Sequence, residues 1–466
     1  MIRLFKVFIP AATLALLATE ALLILGCLLL ATYAAVGFEP VEFELSVFYE
    51  DGPLRLAFAV STVLLGYYFQ DLYRDLRVQH RGLLISKICI AASFLLFGQA
   101  LLAYLKLDLL LARRAALGGV VLLLLLLPAW RIFFASTLLR ALPSQSILFL
   151  GSGPINLQLA AYLVDHPELS LSPIGFVDNH PHPDGQIANL PLHGSLADLR
   201  AIAAAVRPAL IVVGLQERRQ ALPIYDLLDL RFQGIRIEEA ARLYETIFQR
   251  VPIRELRPSQ LIFTTELGPN SMSLRLQSLY CFLIAAVALL LTLPLLLLVA
   301  LAVKLSSPGP VLFRQQRVGM NGKVFTLYKF RSMVANAEAQ TGPVWATRDD
   351  PRVTPVGRFL RRTRLDELPQ LFNVIRGEMS IVGPRPERPE FVRTLSEMIP
   401  FYRQRHCVRP GITGWAQINY KYGDTVEDTM VKLEYDLYYI KNLSFVLDLF
   451  IILNTAKVML LSEKGQ

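Results

Sequence analysis

Residues 279–303 read LYCFLIAAVALLLTLPLLLLVALAV. The run is long enough to cross a bilayer, which takes roughly 20 apolar residues. Taken alone it is one more membrane span, but the charges around it argue otherwise. Arg254, Arg257 and Arg275 precede it, and Lys304, Arg314, Arg317 and Lys323 follow it. Lys and Arg mark cytoplasmic flanks, so both ends belong on one side. A full crossing would also export a basic segment, since Lys304–Gln466 holds 24 Lys+Arg against 16 Asp+Glu, a net +8. Pro294 sits mid-run, where it removes a helix hydrogen bond and permits a kink. The expectation is a re-entrant helix over residues 276–304. It enters the membrane, breaks at Leu293-Pro294 and returns, with its freed backbone groups satisfied by protein or water.

Upstream of this run the chain also reads as membrane. It has 466 residues, 54% hydrophobic and only 18% charged, with a mean hydropathy of +0.44. That balance excludes a disordered chain and argues against a purely soluble enzyme. Candidate spans are Val7–Val36, in which Glu20 is the only charge, Leu54–Gln70, Ile88–Tyr104 and Ala115–Leu138. The first is too long for a signal-peptide core, and more spans follow it. Arg3, Lys6, Arg74, Arg77, Arg81, Lys87, Arg131 and Arg140 lie on one side, facing an acidic loop from Glu39 to Asp51 on the other. Four spans with both ends cytoplasmic follow from that bias, against which Lys106, Arg113 and Arg114 run. Cys27, Cys89, Cys281 and Cys407 lie far apart, several in apolar runs, as buried thiols do rather than a disulfide framework.

Between the spans and the long run, strand and helix patterns alternate. Ser146–Leu150, Ile174–Asp178 and Leu210–Val213 read as strands, and Leu157–Val164 and Leu199–Val206 as helices. Such alternation implies a doubly wound parallel sheet, a Rossmann-like α/β domain. Its turn, Gly151-Ser-Gly-Pro-Ile-Asn156, could seat a nucleotide phosphate at a helix N-terminus, but Asn156 stands where the dinucleotide fingerprint has its third glycine. A tight strand-to-helix turn needs glycines in any case, so a structural or regulatory domain is the preferred reading. His180 and His182, beside Asp178 and Asp184, sit in a Pro-rich loop without a cysteine partner and read as solvated rather than metal-binding.

The last third carries the chemistry. Asp366-Glu367 lies downstream of Arg358, Arg361, Arg362 and Arg364. On a helix, adjacent side chains point about 100° apart, so one carboxylate can attack while the other holds a metal. Guanidinium groups favour the ionised carboxylate and lower its pKa, and they grip phosphate oxygens bidentately. These are parts of phosphoryl transfer through a covalent aspartyl intermediate. The same residues serve equally well as a solvated charge cluster at a helix end. A basic domain suits phosphate-bearing ligands or an anionic membrane surface. The attached membrane segments make nucleic acid the poorest fit. Phe445–Leu461, interrupted by Asp448, Asn454 and Lys457, reads either as an interfacial helix or as an ordinary packing helix.

From about Leu274 to Leu461 the chain resembles the bacterial sugar transferases, the monotopic phosphoglycosyl transferases. The resemblance runs, in order, through Pro308-Gly-Pro310, Tyr328-Lys-Phe-Arg331, Leu365-Asp-Glu-Leu-Pro-Gln370, Val382-Gly-Pro-Arg-Pro386 and Arg409-Pro-Gly-Ile-Thr-Gly-Trp-Ala-Gln417. The layout is similar to the large polyprenyl-phosphate hexose-1-phosphate transferases: a transmembrane domain over 1–140, a Rossmann-like domain over 141–265 and a catalytic domain over 266–466. The resemblance implies that a UDP-hexose binds with Mg²⁺, that Asp366 attacks the sugar-bearing phosphate, and that UMP leaves. Polyprenyl phosphate then takes the sugar phosphate, in the first membrane step of exopolysaccharide, capsule or O-antigen synthesis. Glu367 supports Mg²⁺ together with Asp366. Lys329, Arg361 and Arg409 match phosphate-contacting positions, and Arg385 shapes the same pocket. The implied setting is the bacterial inner membrane, with the catalytic domain on the cytoplasmic face, in contact with membrane lipid and as a homodimer. At the helix break the family usually has Ser-Pro, and this chain has Leu293-Pro294, with Thr292 adjacent. The competing functions are a catalytically silent scaffold or nucleotide sensor, against which the intact acidic pair argues, and a polytopic transferase, which needs more spans.

Overall fold

A computed structural model of the chain describes residues 2–4, 7–49, 51–73, 76, 80–105, 109–139, 144–180, 185–215, 222–255, 268, 270–334, 352–420, 423 and 425–461. Arg74, Arg77, Lys106, Arg140, His182, Asp184 and Arg257, used in the sequence reading, lie outside the described residues. The chain divides into two compact units, Met1–Arg3 with Phe8–Glu239 and Leu4–Val7 with Ala240–Gln466.

In the first unit the spans form helices α1 (Ala11–Ala35), α3 (Gly52–Phe69), α4 (Arg81–Tyr104) and α5 (Arg113–Phe133). A short helix α2 (Pro40–Phe48) fills the acidic loop, where none was expected. Ile24, Leu28, Tyr67, Ile88, Leu95 and Leu123 share one core. Gly66 lets α3 approach the Ala91 backbone, since a Cβ there would stand 2.6 Å from the Ala91 carbonyl oxygen. Arg131 departs from expectation. Its Nε donates to Glu20 Oε1 at 2.6 Å, another guanidinium nitrogen donates to the Leu72 carbonyl, and both charged residues are buried. Arg131 is therefore not a topology marker at the end of the fourth span. It is the partner that makes the lone charge of the first span tolerable, because a buried charge must be paired.

The sheet of this unit has four parallel strands, β1 (Gln145–Leu150), β2 (Leu171–Val177), β3 (Leu210–Val213) and β4 (Arg236–Glu239), in the spatial order β2-β1-β3-β4. Helices α6 (Pro154–Asp165), α7 (Leu199–Val206) and α8 (Ile224–Phe232) lie between them in sequence. The alternation read from the sequence is present, extended by α8 and β4.

The main segment of the second unit runs from Ala240. Helix α9 (Ala240–Phe248) and the residues after it are fastened to α15 (Val426–Asn442) and α14 (Trp415–Asn419). Lys441 Nζ lies 2.8 Å from Glu245, the Val251 amide donates to the Glu434 carbonyl, and Trp415 Nε1 donates to the Gln249 carbonyl. The remaining elements are α10 (Ser271–Ser306), a hairpin of β5 (Leu312–Val318) and β6 (Val324–Phe330), α11 (Pro355–Thr363), α12 (Gln370–Ile375), β7 (Ser380–Val382), α13 (Pro389–Met398), β8 (Gly411–Thr413) and α16 (Phe445–Leu461). β5 and β6 are antiparallel, and β7 pairs with β8 in parallel. Trp415, Tyr438, Leu447 and Ile451 anchor the core.

The long apolar run forms α10, which is helical without interruption over 36 residues and carries Pro294 inside it. No break occurs at Leu293-Pro294, contrary to expectation. A proline removes only its own N–H and displaces the carbonyl four residues back, and a helix meets that loss by kinking as well as by ending. The Thr292 hydroxyl donates to Ala288 O, so it does not cap the Leu290 carbonyl that Pro294 leaves open. The packing of α10 is as informative as its length. Before the proline, Cys281 and Ala285 pack with Phe325, Leu371 and Met379. Beyond it, Leu296, Val299 and Val303 pack with Phe330 and Leu360. Leu289 touches both clusters, while Leu290, Leu291, Leu297 and Leu298 are exposed. Both halves therefore rest on the same α/β body. Among the described residues five helices, α10 among them, are long and apolar enough to cross a membrane.

Candidate active site

Local sequence fixes where the acidic pair sits. Thr354 caps α11 by accepting the Gly357 amide at 2.9 Å, with Pro355 in the first turn. Gly357 is required there, since a Cβ would stand 1.9 Å from the Ser332 carbonyl oxygen. Arg364 ends the helix in the left-handed conformation at φ 54°. Leu365–Glu367 then forms a single 3₁₀ turn. The pair is thus not on an α-helix as expected. On a 3₁₀ turn adjacent side chains diverge by about 120°, which separates the two carboxylates slightly more.

The two carboxylates have different surroundings, although they are buried alike at 8% and 9% exposed. Glu367 Oε1 accepts from Lys329 Nζ at 2.8 Å and from an Arg385 terminal nitrogen at 3.2 Å. Burial would raise its pKa, but Lys329, Arg385 and Arg364 outweigh it and hold Glu367 well below the usual carboxylate range. Asp366 accepts no hydrogen bond from a described residue. Burial pushes it above 3.8, with Glu367 adding to the rise and Lys329, Arg361 and Arg385 opposing it. This corrects the sequence reading, in which the arginines lower the pKa of the attacking carboxylate. The desolvation of Asp366 wins, and Glu367 takes the ion pairs.

Lys329, Arg361 and Arg385 are therefore brought together around the acidic pair. Arg361 Nε also donates to Ser332 Oγ at 2.9 Å. Arg409 lies apart, its guanidinium donating to Ser278 Oγ on α10, and it contacts neither carboxylate among the described residues. Leu293 and Pro294 lie in the apolar stretch of α10, away from the pair in sequence.

Several residues that build the site were not read from the sequence. Arg331 donates to the Ser307 and Pro308 carbonyls and holds the exit turn of α10. Asn373 donates to Thr326 O and accepts the Tyr328 amide, fixing β6 beside α12. Arg405 donates to Asp436 Oδ2 at 2.8 Å, to the Tyr402 hydroxyl and to the Arg385 carbonyl. The signal for this last group was present. Asp436 shares the apolar stripe of α15 with Leu433, Leu437 and Ile440, and a carboxylate in such a stripe needs a cation.

Among the described residues no group of three or more His, Cys, Asp or Glu is placed to hold a metal. Asp366 and Glu367 nonetheless fit Mg²⁺, which usually takes one or two carboxylates plus substrate phosphates rather than a full protein cage. The glycine turn of the sheet is occupied internally. Asp178 accepts the Ser152 amide at 2.7 Å, and Asn156 Nδ2 donates to the Leu150 and Gly151 carbonyls. Burial raises Asp178, but hydrogen bonds from Ser152 and His180 bring it down to about 2.

Comparison with known proteins gives a consistent result. The family described as bacterial sugar transferase matches residues 272–462. The chain is 46% identical over 219 residues to a UDP-N-acetylgalactosamine-undecaprenyl-phosphate N-acetylgalactosaminephosphotransferase of Aeromonas hydrophila, covering 47% of this chain and 51% of that one. It is 50% identical over 183 residues to a UDP-glucose:undecaprenyl-phosphate glucose-1-phosphate transferase of Xanthomonas campestris pv. campestris, covering 39% and 38%. It is 45% identical over 183 residues to the exopolysaccharide production protein PSS of Rhizobium leguminosarum bv. phaseoli, covering 38% of this chain and 92% of that protein. The matched region spans about half or less of the first two relatives.

Proposed function

Because the chain belongs to the bacterial sugar transferase family, we propose that it moves a hexose-1-phosphate from a UDP-sugar to polyprenyl phosphate. An Asp366 carboxylate oxygen attacks the sugar-bearing phosphorus. The bond to the bridging oxygen breaks, and UMP departs with that electron pair. An oxygen of polyprenyl phosphate then attacks the same phosphorus, frees the carboxylate and forms polyprenyl-diphospho-sugar. The observation that carries this reading is the division between the carboxylates: Asp366, facing three cations, accepts no hydrogen bond from a described residue, while Glu367 is committed to Lys329 and Arg385. Lys329, Arg361 and Arg385 would meet the phosphate charge as it develops. Mg²⁺, held by Asp366 and Glu367 when bound, would supply further neutralisation of the phosphates.

The reading includes a topology. Both halves of α10 rest on one body, which supports entry into and return from a single leaflet at the cytoplasmic face of the inner membrane, the turn being a kink at Pro294 within a continuous helix. A water-soluble nucleotide sugar and a lipid phosphate can then meet at the interface. The family relatives named above differ in their sugar, N-acetylgalactosamine in one and glucose in another. A panel of UDP-glucose, UDP-galactose and UDP-N-acetylgalactosamine, presented with polyprenyl phosphate and Mg²⁺, should therefore release UMP from at least one donor. EDTA should stop release and added Mg²⁺ restore it. No UMP from any donor contradicts the function, and turnover that survives EDTA removes the metal from it.

A further inference from the structure

Gln277 is a polar side chain in a helix long and apolar enough to cross a membrane and is only 2% exposed. Its Nε2 lies 2.7 Å from the Tyr439 hydroxyl, 2.8 Å from Asp448 Oδ2 and 3.3 Å from the Val382 carbonyl oxygen. The Tyr439 hydroxyl lies 2.8 Å from Asp448 Oδ1 and 3.2 Å from the same Val382 carbonyl. The Tyr280 hydroxyl also donates to Asp448. α10, α15 and α16 thus meet in one buried polar network at the end of β7.

The placement of this network is what gives it meaning. Val382 is followed by Gly383, Pro384 and Arg385, and Arg385 holds Glu367. Ser278, the next residue on α10, accepts the Arg409 guanidinium. Gly383 lies so close to Arg409 that a Cβ on it would stand 2.4 Å from the Arg409 carbonyl oxygen. One turn of the membrane-entering helix therefore reaches the backbone that leads to Arg385 and the side chain of Arg409. An apolar set of the same volume would bury this junction at less cost, but a connected polar network specifies a single geometry.

We propose that Gln277 and Tyr439 are positioning residues that act through the Val382 carbonyl, setting Arg385 against Glu367 and coupling the phosphate clamp to the helix that enters the lipid. The inference rests on the transferase reading and adds to it a route from membrane seating to the clamp.

The test uses the full chain in detergent or nanodiscs. Gln277→Met and Tyr439→Phe are each made alone and in an Arg385→Ala background. UMP release and the unfolding midpoint are measured for all. Each single variant should lower kcat/KM by about ten- to a hundredfold, the scale of a small misplacement of a clamp group, with little change in midpoint. In the Arg385→Ala background neither should lower it further, because the partner through which they act is gone. Losses that multiply in that background, or single variants with wild-type kcat/KM, overturn the proposal. Tyr439→Phe removes one oxygen and decides the matter if Gln277→Met does not accumulate. An Arg385→Ala enzyme with full activity overturns it too, while leaving Asp366 chemistry standing. A wild type that releases no UMP brings down both.

Discussion

Asp366→Asn should abolish UMP release while leaving the fold intact or slightly firmer. Loss of a covalent nucleophile costs on the order of 10⁴- to 10⁶-fold in turnover. The substitution keeps the shape of the side chain and removes only the charge and one acceptor oxygen. The stability expectation follows from the sign of the pKa shift. Burial raises the pKa of Asp366, so ionising it costs more in the folded chain than in the unfolded one, and a neutral amide relieves that cost. The wild type should also lose kcat/KM as pH falls through a value above 3.8, since attack needs the ionised carboxylate and burial delays ionisation. Glu367, held low by Lys329 and Arg385, stays charged across that range. Turnover, unfolding midpoint and a quenched mass spectrum of the Asp366 peptide read this out. Wild-type turnover in the Asn variant would assign the attack to another group.

The second large effect is on stability. Asp436→Ala should destabilise the second unit by about 3–5 kcal/mol, the usual result of leaving one partner of a buried ion pair uncompensated. Arg405 lies 2.8 Å from Asp436 Oδ2, and both residues are nearly excluded from solvent. Arg405 also donates to the Arg385 carbonyl, so activity should fall along with stability. Denaturant unfolding in detergent measures the first effect, and UMP release the second. A variant within about 1 kcal/mol of wild type would mean that water reaches Arg405 and the pair is less buried than its geometry indicates.

What the sequence made legible, and what it hid, divides along a physical line. Hydropathy located the four N-terminal helices and α10, because a span is a local property of consecutive residues. The β1, β2 and β3 strands and the acidic pair were equally local. Relations across the chain were not. Glu20 and Arg131 are 111 positions apart, and no local pattern joins a lone acid in one span to an arginine near the end of another. The arginines around Asp366-Glu367 were visible, but which carboxylate they would pair with was not, because that depends on Lys329 and Arg385 arriving from β6 and from the loop after β7. Pro294 was read as a break, yet neighbouring contacts on both sides hold α10 helical through it. The docking of α9 through Glu245 and Lys441 joins residues 196 positions apart and is likewise invisible to any local pattern.

The central claim is that both ends of α10 lie on the same face of the membrane. Met272 and Leu305, exposed near its two ends, can be replaced singly by cysteine in a chain lacking Cys27, Cys89, Cys281 and Cys407, and probed with a membrane-impermeant maleimide. Both positions should react in inside-out vesicles and stay protected in intact cells. Labelling of Leu305→Cys from outside the cell, with Met272→Cys protected, would make α10 a full crossing and contradict the account.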